Sequence, residues 1–229
     1  MNHSNVTLAR SQDQIVSTNK VLKNTYMLLS ATLAFSAVTA FVSIGMNMPP
    51  MTYLIALIAS MVLGMFVLPR TANSGAGIGV VFLITGLMGF GLGSVLSMYL
   101  ALPKGPEVIA TAFGGTGIIF LGLSGYALTS KRDFSFMGGF IFAGMMVLVV
   151  AMLANIFFAL PALSLAISAG VILVMSGFIL FDTSRIINGG ETNYILATYG
   201  LFLSIFNIFM SVLFLLVAFG GGVEYSCGL

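Results

Sequence analysis

Charged side chains are scarce in this chain, at 6% of 229 residues. A soluble domain usually carries about 25%, and a water-soluble fold this poor in charge could not cover its surface with polar groups. With 59% hydrophobic residues, the natural solvent for most of the chain is lipid. Tryptophan is absent, and there is one histidine, His3. The single cysteine, Cys227, excludes an internal disulfide framework and a cysteine-based metal cluster. Six carboxylates, one imidazole and one thiol give little support for hydrolysis or metal catalysis.

What the chain has instead is long apolar runs. A transmembrane helix needs about 20 apolar residues to cross about 30 Å of hydrocarbon. Seven stretches qualify: 26–46, 51–68, 78–102, 108–129, 136–158, 161–181 and 194–219. Gly, Pro and short polar runs separate them. The fold class read from this pattern is an all-α integral membrane protein with seven spans. It divides into an N-terminal tail (1–25), a seven-helix domain (26–219) and a short C-terminal tail (220–229). The tail reads as polar and flexible, with a helical extension into the first span available from Ile15. The first span follows a polar tail and no small-residue cleavage site follows it, so it does not read as a signal peptide.

Basic residues set the orientation. Arg10, Lys20, Lys23, Arg70, Lys131, Arg132 and Arg185 fall on one side of a seven-span chain, and Lys104 alone falls on the other. The N-terminus is therefore predicted cytoplasmic and the C-terminus extracytoplasmic. The loops are too short for a soluble catalytic domain.

Gly75/Gly79 and Gly89/Gly93 are spaced as small-xxx-small pairs and predict close helix packing, as does Gly114-Gly115-Thr116-Gly117. The pattern argues against a nucleotide-binding loop, because no strand precedes these glycines and no βαβ unit is available. Tyr26, Tyr99 and Tyr194 fit an interfacial aromatic belt. Asp182 closes the sixth stretch near its cytoplasmic end, with Arg185 a candidate partner at i,i+3. It reads either as a wetted helix end or as a proton- or ion-sensing carboxylate turned into the bundle. Asn155 and Asn207 are polar groups within apolar spans, each expected to hydrogen-bond across to another helix. The methionines show no paired spacing and read as adaptable packing rather than metal ligands. No cofactor, no metal and no nucleic-acid partner are expected.

Three stretches carry a resemblance. They are Tyr126-Ala-Leu-Thr-Ser-Lys-Arg-Asp-Phe-Ser-Phe136, Leu180-Phe-Asp-Thr-Ser-Arg-Ile-Ile-Asn188 and Gly189-Gly-Glu-Thr-Asn-Tyr-Ile195. Together they resemble the Bax inhibitor-1, or transmembrane Bax inhibitor motif, family. With Asn155-Ile-Phe157 and Lys20-Val-Leu-Lys-Asn-Thr-Tyr26, they are most similar to its bacterial YccA-like branch. The resemblance implies two three-helix layers around a central seventh helix. For that branch it implies a non-enzymatic inner-membrane protein that binds and modulates a membrane-bound, ATP-dependent protease of the FtsH type, gripped through its N-terminal tail. Other members resemble pH-sensitive calcium leak channels with an Asp on the sixth helix and another on the seventh. Asp182 matches the first, and Ser204 stands where the second would be. A switch built on one proton shared by two carboxylates needs both, so any calcium leak here is expected to respond to pH differently.

Overall fold

The computed structural model describes the backbone of residues 3–130 and 132–220, and the side chains of Val16 and of residues 18–130 and 132–220. Lys131, residues 221–229 with Cys227, and the side chains of His3 and Arg10 lie outside the described residues. Seven helices are long and apolar enough to cross a membrane. We label them α1 (His3–Gly45, with its apolar span Thr18–Gly45), α2 (Met51–Thr71), α3 (Ala76–Leu100), α4 (Gly105–Ser130), α5 (Met137–Phe158), α6 (Pro161–Ile187) and α7 (Tyr194–Phe219).

Helix boundaries follow local chemistry. The turn after α1 places Asn47 in the left-handed region and then meets Pro49 and Pro50. Ala159 ends α5 in the same region, and Pro161 opens α6 where its missing N–H costs nothing. Three boundaries differ from the apolar pattern. The backbone is helical from His3, so the tail continues α1 rather than hanging loose from it. The second run was read as ending at Leu68, yet α2 passes through Pro69. A π-helical turn at Leu63–Val67 precedes that proline. The wider turn accommodates the Met65 carbonyl, against which the ring would otherwise press and which Pro69 cannot serve as a donor. Finally, α6 runs beyond Phe181 to Ile187, because Thr183, Ser184 and Ile186 are buried and prolong the packed face past the first charge.

The helices form two layers with α7 between them. In the first, α3 packs against both α1 and α2; in the second, α6 packs against both α4 and α5; α7 touches α1, α3, α4 and α6. The core follows the two most enclosed helices, with Val81, Ile84 and Met88 on α3 and Leu201, Phe202, Ile208 and Leu213 on α7. Helix α5 is peripheral, with most of its side chains turned outward.

Glycine sets how closely α1 and α3 approach. A methyl group added at Gly89 would overlap the Ser36 carbonyl oxygen, and one at Gly93 the carbonyl oxygen of Ala40. On the other side of α3, a methyl at Gly91 would fall 2.8 Å from Ala56 of α2. In a bilayer, helix association draws on van der Waals contact rather than on the expulsion of water, so this proximity is itself the stabilising term. The other glycines behave differently. Gly75, Gly79, Gly114 and Gly117 face open space, and Gly115 meets only Val212 at 3.9 Å. The expected tight packing is therefore found at Gly89/Gly93 and not at Gly75/Gly79 or in the Gly114–Gly117 run.

This contrast gives a first prediction. Gly93→Ala should destabilise the protein by about 1–3 kcal/mol through overpacking. Gly114→Ala should be neutral or stabilising by up to about 1 kcal/mol through helix propensity. Thermal unfolding in mild detergent, followed by circular dichroism, separates the two.

Candidate functional site

The site is assembled where α4, α6 and α7 meet the loops on the Arg-bearing face. Each of the three motif stretches contributes to it. Ser184 of α6 is fully buried and links two of them. Its hydroxyl donates to the Arg132 carbonyl at 3.1 Å and accepts the Phe134 N–H at 2.9 Å and the Asn188 amide at 3.2 Å. Asp133 in the same loop accepts from both the hydroxyl and the backbone N–H of Ser135, which hold its carboxyl below the usual range.

The third stretch closes over the end of α6. Gly189 takes a positive φ of 73°, a conformation that glycine adopts without strain. The chain then folds back, so that the N–H groups of Gly190 and Glu191 donate to the Arg185 carbonyl at 2.8 and 3.1 Å. This turn delivers Glu191 to Arg185, whose guanidinium donates to the Glu191 carboxylate and to the Gly190 carbonyl, both at 3.3 Å. The guanidinium also lies 5.5 Å from the Phe181 ring centre. The ion pair of Arg185 is thus with Glu191, not with Asp182 as the i,i+3 spacing suggested.

Asn193 joins this loop to the first layer. Its side-chain oxygen caps α7 by accepting the N–H groups of Ile195 and Leu196 at 2.9 and 3.3 Å. Its amide nitrogen donates to the Ala72 carbonyl and to the Asn73 side chain, both at 3.0 Å. Asn193 lies in the third motif stretch, which carries the family resemblance but by itself points to no role for this side chain. Its position just before an apolar run is the ordinary signature of a helix cap, whereas its reach to the α2–α3 turn has no local signal.

Asp182 lies inside α6, five residues before the helix ends. It is half-buried, and its side chain faces α7 at Gly200. A methyl group there would come within 2.7 Å of a carboxylate oxygen, so glycine makes room for the acid. Ser204, one turn further along α7, is 2% exposed and donates to the Gly200 carbonyl at 3.0 Å. Its hydroxyl serves its own helix rather than Asp182. Among the described residues, Asp182 has no hydrogen-bond or ion-pair partner. The neighbouring Thr183 is fully buried and its hydroxyl, like those of Tyr26 and Ser124, has no partner among the described residues. Tyr26 accordingly packs into the bundle, its ring 6.1 Å from that of Phe120.

Asn155 and Asn207 are not part of this constellation. Asn155 lies near the opposite end of α5, where its amide donates to Ser164 of α6 at 2.8 Å, across helices as expected. The Asn207 amide donates to Leu203 at 2.8 Å, within its own helix. Among the described residues, no group of three His, Cys, Asp or Glu side chains could hold a metal ion.

Seven membrane-length helices, two layers and an enclosed seventh helix define a multi-pass α-helical membrane protein. Residues 18–221 match the family model described as "Inhibitor of apoptosis-promoting Bax1", and the chain belongs to this Bax inhibitor family. It is 49% identical over 211 residues to the "Modulator of FtsH protease YccA" of Escherichia coli K12, covering 92% of this chain and 95% of that one. It has the same identity and coverage to the "Inner membrane protein YccA" of Escherichia coli O6:H1. It is also 50% identical over 216 residues to a membrane protein of Vibrio cholerae, covering 94% and 97%.

Removing the clamp should be costly. Asn193→Ala deletes the α7 cap, worth about 1–2 kcal/mol, together with the bonds to the α2–α3 turn. Asn193→Asp retains the capping oxygen and loses the donor. The alanine variant should therefore unfold at lower temperature than the aspartate variant, with wild type highest.

Proposed function

We propose that this protein is a non-enzymatic modulator that binds a membrane-bound, ATP-dependent protease of the FtsH type. The observation that carries this reading is 49% identity, over 92% of the chain, to a protein named as a modulator of that protease. The architecture is compatible with it. Loops between the spans are short, so a partner must meet the bundle, the face bearing the three motif stretches, or the N-terminal segment. The basic residues favour a cytoplasmic N-terminus and an extracytoplasmic C-terminus in a bacterial inner membrane. In that orientation residues 1–25 stand on the same side as Arg70, Arg132 and Arg185, within reach of a cytoplasmic ATPase ring.

Affinity capture of the full chain from native membranes in mild detergent should recover an FtsH-type protease. Its absence from the captured material would sink the proposal. Deleting Met1–Arg10 should slow the protein's own turnover while leaving capture intact. Unchanged turnover would argue that the tail is not the point of engagement.

A second reading is an ion leak of the calcium type. It is favoured by one observation, a half-buried carboxylate facing α7 inside a membrane-length helix. Ser204 cannot titrate, so a proton shared between two acids is not available to this pair. In liposomes loaded with a calcium dye, Asp182→Ala should reduce any flux at about pH 6 and pH 8, values that bracket the ordinary imidazole range. Flux equal to that of empty vesicles at both values would remove this reading.

A further inference from the structure

The two layers do not close fully on the Lys104 side of the molecule. Between them lies a lateral cavity of about 170 Å³. Its walls come from α1 and α3 in one layer and α4 in the other, and its floor is α7 at Phe202, Phe206 and Phe209. Ala37 and Ala40 leave room on the α1 side. The lining is almost wholly apolar, and Phe41 and Phe113 at its rim are exposed.

Size decides what fits. An apolar cavity of about 150 Å³ holds a benzene-sized molecule of six carbons, so this one takes six or seven methylenes in a row. A transmembrane helix, about 10–12 Å across with its side chains, is far too wide. An empty apolar cavity forfeits the dispersion contacts of its lining, and at this depth the surroundings are hydrocarbon chains.

The outer end of the cavity carries a charge signal. Leu100 and Ile109, which line it, flank the turn that contains Lys104. Lys104 is the one basic residue assigned to this face, is exposed, and makes no ion pair among the described residues. It lines a second cavity of about 200 Å³ with Gly105, Val108 and Leu216, large enough for a glycerol and phosphate group. An apolar slot of one-chain width, with an ammonium that makes no ion pair among the described residues in the turn joining two of its walls, is complementary to a phospholipid; Glu107, three residues on, is the acid nearest to that ammonium in sequence.

We propose that this groove binds one acyl chain of a phospholipid from the leaflet on the Lys104 side, with Lys104 holding its phosphate. The bound chain wedges between the layers against Phe202 and Phe206, which flank Ser204 in sequence. Lipid occupancy is thereby coupled to the position of the helix that Asp182 faces.

The test uses the full chain purified in mild detergent and titrated with dioleoyl phosphatidylglycerol, read by native mass spectrometry and thermal unfolding. Wild type should retain one lipid and unfold at a higher temperature with it. Ala37→Phe fills the groove and should reduce retention at least several-fold, with no loss of unfolding temperature in lipid-free detergent. If that side chain is too large to fold, Ala37→Leu gives a smaller reduction of the same sign. Lys104→Gln should weaken binding about five-fold, the value of one basic side chain at an anionic lipid surface. Equal lipid retention by wild type and the groove-filled variants would overturn the proposal. So would a lipid-free dimer of wild type that the Ala37 variants abolish, which would make the groove an interface between copies. Unchanged affinity in Lys104→Gln would overturn the headgroup assignment.

Discussion

In hydrocarbon a polar group has no water to fall back on, so each one must find its partner within the protein. That constraint bears hardest on α7, which is surrounded by α1, α3, α4 and α6. Three of its polar side chains meet it in the same way. Thr198, Ser204 and Asn207 each donate to a carbonyl one turn earlier in their own helix. Of the three, Thr198 alone also reaches out, donating to the Thr25 carbonyl of α1 at 3.2 Å. The interior of α7 is thereby quiet toward its neighbours, and its surfaces can pack as if they were apolar. The exception is opposite Gly200, where the missing side chain admits a carboxylate from α6. A carboxylate cannot be satisfied by an acceptor and cannot donate when ionised. Asp182 is therefore the one ionisable group in the second layer's interior left without a hydrogen-bond partner among the described residues, beside the unpartnered hydroxyls of Thr183 and Ser124, which is why it stands out as a functional candidate.

Much of this was legible in the chain, and the rest was not for definable reasons. Seven apolar runs separated by Pro and Gly give seven helices, because length and hydropathy alone decide whether a segment crosses a bilayer. The fate of individual polar groups is not of that kind. Spacing places Arg185 one turn from Asp182, yet the turn at Gly189 brings Glu191 to the guanidinium instead. Asn155 and Asn207 look equivalent in sequence, and one bonds across helices while the other bonds within its own. Ser164, the fourth residue of α6, meets Asn155 across the helices, whereas Asn207 lies between Phe206 and Ile208 and turns to its own backbone. Gly89 and Gly79 likewise share a pattern, but which face of α3 meets α1 is a tertiary fact. The π-helical turn at Leu63–Val67 is the cost of carrying Pro69 inside a span, and a rule that ends helices at proline cannot foresee it.

The serine at position 204 gains meaning from the geometry. A second carboxylate at that position would lie one turn from Gly200, on the helix that Asp182 faces. Two such groups in a low-dielectric interior cannot both ionise freely, and they would share a proton. Serine removes that coupling and satisfies itself on the Gly200 carbonyl. The result is a seventh helix whose fit in the bundle does not depend on the protonation of a residue it carries.

The two ends of the bundle are also held differently. On the Arg-bearing face, Ser184 ties the α4–α5 loop to α6, Arg185 and Glu191 pin the α6–α7 loop, and Asn193 reaches from α7 to the α2–α3 turn. These bonds connect both layers to the central helix. At the other end, the turns at residues 46–50, 101–104 and 159–160 make backbone bonds only to nearby residues of the chain. There the layers are held by side-chain contact, and there the apolar cavity opens between them. A bundle whose layers are both latched to the central helix at one end, and whose hydrogen bond at the other, Asn155 to Ser164, stays within one layer, yields first at that second end. Its stiffness on the latched side keeps the loop face in a fixed shape, while the occupant of the opposite groove sets how far the layers stand apart.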